Sequence, residues 1–228
     1  MEKILITGGS GDGKSFSLRN LPPEETLFIR ATSKMSIPVG KINKRYTPVT
    51  KGGKEGNLIT VFNPLATNPK TEEYESKMNK YFELAKTRKF KYIVIDDVQY
   101  ILLSIESMFK GSGEYKDQRK IYSLIKQFTY TMFTTADLIS EGCTVIFSWQ
   151  KHNQKEQLVI PGEAFNEVIV PQGFFNIVLQ AEKTITGEHV FRTNGLGLCK
   201  TPYGMFADET IPNDIQSVLE SINKYYQE

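Results

Sequence analysis

Residues 3–15 read Lys3-Ile4-Leu5-Ile6-Thr7-Gly8-Gly9-Ser10-Gly11-Asp12-Gly13-Lys14-Ser15. The apolar run is too short for a helix and stops at glycine, which reads as a buried strand. From Gly8 to Ser15 the chain fits G-x-x-x-x-G-K-[ST] without a gap. Glycines let the backbone turn its N–H groups inward around phosphates, and a following helix would add its positive end. Lys14 is placed to reach the β- and γ-phosphates, and the Ser15 hydroxyl to hold Mg²⁺. The candidate nucleotide-binding residues are therefore Gly8, Gly9, Ser10, Gly11, Asp12, Gly13, Lys14, Ser15 and Phe16. A helix is expected from Ser15 to Asn20, stopping before Pro22-Pro23.

A second acidic motif supports the first. Tyr92-Ile93-Val94-Ile95-Asp96-Asp97 is an apolar strand ending in two carboxylates. A parallel sheet brings its carboxyl edge to the ligand side, beside the glycine loop. Asp96 is the candidate second metal residue, holding Mg²⁺ through its water shell. Asp97 is either the general base that polarises the attacking water or the cap of a helix starting at Val98. The strand Cys143 to Ser148 is followed by Trp149-Gln150-Lys151-His152. A polar side chain there is placed to sense the γ-phosphate, with Gln150 first and His152 second.

Outward from these motifs, strands are expected at Thr26–Arg30 and Leu58–Phe62. Tyr74, Met78, Phe82 and Ala85 share one helical face, as do Ile121, Ile125, Phe128, Met132, Ala136 and Ile139. Alternating strands and helices predict an α/β fold with a mostly parallel central sheet flanked by helices. After Trp149 the pattern changes. Phe174–Ala181 and His189–Thr193 flank Thr186-Gly187-Glu188 as a hairpin, and Ile211-Pro212-Asn213-Asp214 starts a last helix ending near Tyr226. No internal repeat or low-complexity linker divides the chain, so one domain over 1–228 is expected.

The bulk properties exclude several classes. The 228 residues can enclose a full core without disulfide or metal staples. Cys143 and Cys199 are far apart and outside any C-x-x-C spacing, which reads as reduced thiols. No leader pattern opens the chain, and no run approaches the ~18 apolar residues of a membrane span, so a cytoplasmic protein without a membrane partner is expected. Net charge is only +2, so nucleic-acid attraction would need local clustering. Such a cluster exists: Arg30, Lys34, Lys41, Lys44, Arg45, Lys51 and Lys54 span a stretch without a carboxylate, with Tyr46 and Gly52-Gly53 inside it. It reads either as a track for a single-stranded backbone with an aromatic for stacking, or as a solvated loop. Lys151-His152-Asn153-Gln154-Lys155 is a second, shorter basic loop.

Taken together, the motifs at Gly8–Ser15, Thr26–Pro38, Ile93–Asp97, Val145–His152, Pro171–Ala181, Thr193-Asn194-Gly195, Lys200-Thr201-Pro202 and Ile211–Asp214 resemble, in order, the RecA-like phage ATPases of the Sak-type single-strand annealing group. The resemblance implies a RecA-like P-loop NTPase core that hydrolyses ATP with Mg²⁺, binds single-stranded DNA and serves phage recombination or replication. A phage or host single-strand binding protein is the protein partner it points to. It also implies a homo-oligomer with ATP at the subunit interface, where a neighbour's cation, Lys200 or Arg192, completes the site. The chain departs from RecA-type recombinases in one respect. Those carry a catalytic Glu just after the strand that follows the P-loop helix, whereas Arg30-Ala31-Thr32-Ser33-Lys34 offers none. The base role then falls to Asp97, or hydrolysis is slow.

Two other classes compete. A small-molecule kinase would need arginines converging on the transferred phosphate, and Arg88, Arg119 and Arg192 are scattered. A nucleotide-gated loading protein would use the same cradle with turnover incidental. No N-K-x-D segment reads guanine, which favours ATP over GTP.

Overall fold

The computed structural model describes residues 2–31, 46–67, 74–112, 118–152, 156–161 and 170–227. Among the described residues ten strands and four α-helices follow in the order β1 (Lys3–Gly8), β2 (Thr26–Arg30), β3 (Leu58–Thr60), β4 (Leu65–Thr67), β5 (Tyr74–Ser76), α1 (Met78–Thr87), β6 (Tyr92–Asp96), α2 (Val98–Ser112), α3 (Gln118–Ser140), β7 (Thr144–Gln150), β8 (Ile177–Lys183), β9 (His189–Arg192), β10 (Thr210–Pro212) and α4 (Ile215–Tyr225). Eight of the strands form one sheet in the order β10-β9-β8-β1-β7-β6-β2-β3. From β8 to β3 every pairing is parallel, while β9 and β10 extend the sheet antiparallel. The expected α/β architecture, with a C-terminal hairpin and final helix, is what the chain adopts.

Strand alternation divides the core into two layers. Leu5, Ile93, Ile95, Val145 and Phe147 point to one face, where Met78, Phe82, Ile101, Ile105, Ile125, Phe128 and Met132 of α1, α2 and α3 cover them. Ile4, Ile6, Val94 and Ile146 point to the other, covered by Leu18, Leu21 and by Ile215, Val218 and Ile222 of α4. Both faces are thus dry, which is why these strands read as near-continuous apolar runs. β1 lies inside the sheet, with β7 on one side and β8 on the other. All ligand-side residues therefore emerge along one edge.

Three expectations are corrected. The helix after the P-loop is only a 3₁₀ turn, Phe16–Leu18. Its bonds are Leu18 N–H to Ser15 O at 3.3 Å and Arg19 N–H to Phe16 O at 3.2 Å, with Ser17 N–H to Gly13 O at 2.9 Å. Pro22 bars Leu21 from the α region, and the few residues left before it fall short of what offsets helix nucleation. Tyr74 belongs to β5, opposite Thr67 of β4, and α1 starts at Met78. Ile211 and Pro212 lie in edge strand β10, where a missing N–H is tolerated. The last helix begins later, with the Asp214 side chain capping it by accepting from Gln216 N–H at 3.0 Å.

Candidate functional site

The P-loop closes over itself through its own side chains. Asp12 Oδ2 accepts the Gly9 N–H at 2.6 Å, which braces the turn. Gly8, Gly11 and Gly13 have φ of +147°, +86° and +99°, conformations that side chains with a Cβ resist. Ser10 and Gly11 form the exposed tip. At Gly8 a Cβ would also lie 2.6 Å from the Ala181 carbonyl oxygen of β8. Gly8→Ala is accordingly expected to cost about 2 kcal/mol or more. Urea unfolding measures it; an unmoved midpoint would mean that β1 and β8 lie further apart than this.

Lys14 is buried, and its Nζ donates to Gly8 O at 3.1 Å and Gly9 O at 2.7 Å. Burial pushes its ammonium below the ordinary lysine range, while Asp97, Asp96 and Asp12, in that order, pull it back up. The buried ammonium thus lies within the field of three carboxylates.

The donor set fits magnesium. Ser15 Oγ lies 3.2 Å from each oxygen of Asp96, although 81 residues separate the two in sequence. Ser148 Oγ donates to Asp96 Oδ1 through a short bond. Hard oxygen donors at the end of β6 suit Mg²⁺, which keeps waters and phosphate oxygens as its remaining ligands. Among the described residues no group of three or more His, Cys, Asp or Glu is placed to hold a metal ion.

Asp97 has φ of +58°, a left-handed conformation uncommon outside glycine. Its N–H donates to Ser148 Oγ at 2.8 Å, and its Oδ1 accepts from Gln99 Nε2 at 3.0 Å. Gln99, 1% exposed, uses its Oε1 to accept the Gln150 N–H at 3.1 Å. One buried amide thus ties Asp97 to the tip of β7. Gln150 is paired in register with Gly8, and Lys151 N–H donates to Gly8 O at 2.8 Å, so the tip lies against the P-loop. His152 is exposed further along. Ser148 and Gln99 carry no sequence motif; their role shows only when β6, β7 and α2 are placed side by side.

Phe16 is 37% exposed beside the loop. The Arg19 guanidinium lies 4.2 Å from its ring centroid, and the His189 ring 5.7 Å away. His189 Nδ1 stands 3.1 Å from Asp12 O; because a carbonyl only accepts, Nδ1 carries the proton.

The remaining expectations fare unevenly. Arg30 donates its Nε to Thr60 Oγ1 at 3.0 Å within the sheet. Tyr46 is buried and stacks edge-on against Phe28 at 5.4 Å, so it cannot receive a base. Lys51 and Lys54 are exposed, whereas Lys34, Lys41, Lys44, Arg45 and residues 153–155 lie outside the described residues. Arg192 is held by two bonds to Glu182, at 2.9 and 3.2 Å, while Lys200 is exposed. Arg88 donates to Gly56 O and lies 4.7 Å from the Phe90 ring, so neither it nor Arg192 serves the P-loop within this chain. Cys143 and Cys199 are free, and burial pushes the Cys143 thiol up to about 11. Among the described residues no helix is long and apolar enough to cross a membrane.

Strand order and glycine loop together define an α/β protein with a P-loop at the carboxyl edge of its sheet. No protein-family profile matches the chain, and no curated protein does. Among solved structures it is similar to a KaiC-like protein from the hyperthermophilic archaeon Pyrococcus horikoshii OT3, with 15% identity and a TM-score of 0.41 over 92% of this chain and 88% of that one.

Proposed function

We propose that the chain is an ATPase that grips single-stranded DNA in phage recombination or replication. The observation that carries the nucleotide half is the meeting of Ser15 and Asp96 at 3.2 Å, beside a buried Lys14. Water attacks the γ-phosphorus, a new P–O bond forms, and the bond to the β,γ-bridging oxygen breaks. ADP and phosphate leave. Lys14 stabilises the charge that develops on the phosphate oxygens. Asp97, oriented by Gln99, accepts the proton of the attacking water, with Gln150 positioning that water from the tip of β7. Ser15 and Asp96 would hold Mg²⁺, which supplies charge neutralisation and phosphate alignment.

The DNA half draws on the resemblance to the Sak-type ATPases and on exposed Lys51 and Lys54. Phe62, 70% exposed just beyond β3, is an aromatic available for stacking in place of Tyr46. Assembly into a homo-oligomer would let Lys200 act on a neighbour's phosphates, and a single-strand binding protein is the partner to seek. Fluorescence anisotropy with a labelled single-stranded oligonucleotide, at low salt with ATP and Mg²⁺, should show saturable binding that weakens as salt rises. Absence of binding would end the DNA claim and leave the nucleotide site standing.

Two observations favour a second reading. No Glu stands in Ala31–Lys34 directly after β2, and the Asp97 carboxylate is already engaged by Gln99. Slow turnover would suit a nucleotide-gated loading protein. Nucleotide-dependent capture of a replication protein, with hydrolysis unmoved by DNA, distinguishes it.

A further inference from the structure

The two flanks of β1 differ in chemistry. On the β7 and β6 side stand Ser148, Gln150, Asp96 and Asp97, the side to which the reading above assigns the metal and the terminal phosphate. On the β8 and β9 side stands His189, with the Asn213 amide also close to Gly13. A triphosphate lying across the loop with its γ end at Asp96 must therefore send its nucleoside toward β9. On that side are the partly exposed Phe16 side chain, the Arg19 guanidinium 4.2 Å from its ring centroid and the His189 ring at 5.7 Å.

We propose that Phe16, Arg19 and His189 form the shelf on which the purine base of the bound nucleotide stacks. The proposal rests on the nucleotide-binding reading above and adds the residues that read the nucleoside. Arg19 and His189 are each held in place by a hydrogen bond. Arg19 Nη1 donates to Asn213 O at 2.6 Å, and its Nη2 lies 3.9 Å from Asp214 Oδ2. His189 is pinned by its Nδ1 bond to Asp12 O. A guanidinium, a phenyl ring and an imidazole all present flat faces to a base, and Arg adds cation–π attraction. A purine offers more face than a pyrimidine and gains more.

A second observation points the same way. Asn213 is 3% exposed, yet neither its Nδ2 nor its Oδ1 has a hydrogen-bond partner among the described residues. A Cβ on Gly13 would lie 3.2 Å from that Oδ1, so the amide faces the loop from the back of the shelf. Unused donor and acceptor capacity in a buried amide is costly unless something completes it.

Calorimetric titration with Mg-ATP and with Mg-tripolyphosphate tests the shelf. Wild type should bind ATP more tightly than tripolyphosphate. Phe16→Ala and His189→Gln, the latter keeping a donor toward Asp12 O, should each weaken ATP about 10- to 100-fold and leave tripolyphosphate within about twofold. Wild type binding both ligands equally, or variants that lose both in parallel or neither, would overturn the shelf while the P-loop reading stands. Wild type that binds neither ligand overturns both.

Discussion

Lys14→Ala should lower ATP turnover by about 100-fold or more, the scale on which a single donor to transition-state charge acts. The fold should survive, with the melting temperature within about 5 °C of wild type. The second expectation is the less obvious, since Lys14 is 8% exposed and hydrogen-bonded. Its loss does not strand the carbonyls it serves. Gly8 O keeps the Lys151 N–H at 2.8 Å, and Gly9 O keeps the longer contact from Asp12 N–H at 3.5 Å. Removing the ammonium also removes its desolvation, the largest influence on its protonation. The opposing effect is that Asp96, Asp97 and Asp12 lose their shared counter-charge, which limits any gain in stability. Turnover assays beside a thermal melt separate the outcomes. Full activity in a folded variant would place the chemistry elsewhere; an unfolded variant would make Lys14 structural.

How much of this could be read from the chain alone follows from what is local. β1, its loop and β6 were legible because strands buried on both faces leave continuous apolar runs, and because the loop's glycine spacing is itself the cradle. The turn after the loop departs from the helical expectation for a local reason too. Ser15 to Asn20 has helical character, but Pro22 caps its length, and the usual positive helix end contributes little to this cradle. Tyr74 and Met78 fit an i, i+4 helical pair, and nothing near them reveals that pairing with Leu65–Thr67 makes Tyr74 a strand residue. Least legible were the helpers. Ser148 reaches Asp96 across 52 residues, and His189 reaches Asp12 across 177. Only strand order brings such pairs together. Gln99 lies two residues from Asp97, but a glutamine in the first turn of a helix is ordinarily solvated, and no pattern flags it as a clamp.

Asp96→Asn should leave the fold intact and remove the magnesium dependence of nucleotide binding. The isostere suits the cavity. Asp96 is fully buried, and its oxygens meet two hydroxyls, Ser15 Oγ and Ser148 Oγ. Hydroxyls both donate and accept, so an asparagine amide keeps partners for its oxygen and its nitrogen. What it cannot keep is the negative charge that the ion requires. In wild type, EDTA should weaken ATP binding and stop turnover. In the variant, binding should already sit near the EDTA level and should not respond further, with turnover down about 100-fold. The charge balance gives the contrast its direction. With Asp96 ionised, Lys14 faces three carboxylates, and a tetra-anionic triphosphate is repelled unless a cation enters with it. With asparagine in its place that repulsion falls, so metal-free ATP should bind the variant at least as well as it binds metal-free wild type. Equal, full magnesium dependence in both proteins would remove Asp96 from the ion's surroundings, whatever its distance from Ser15.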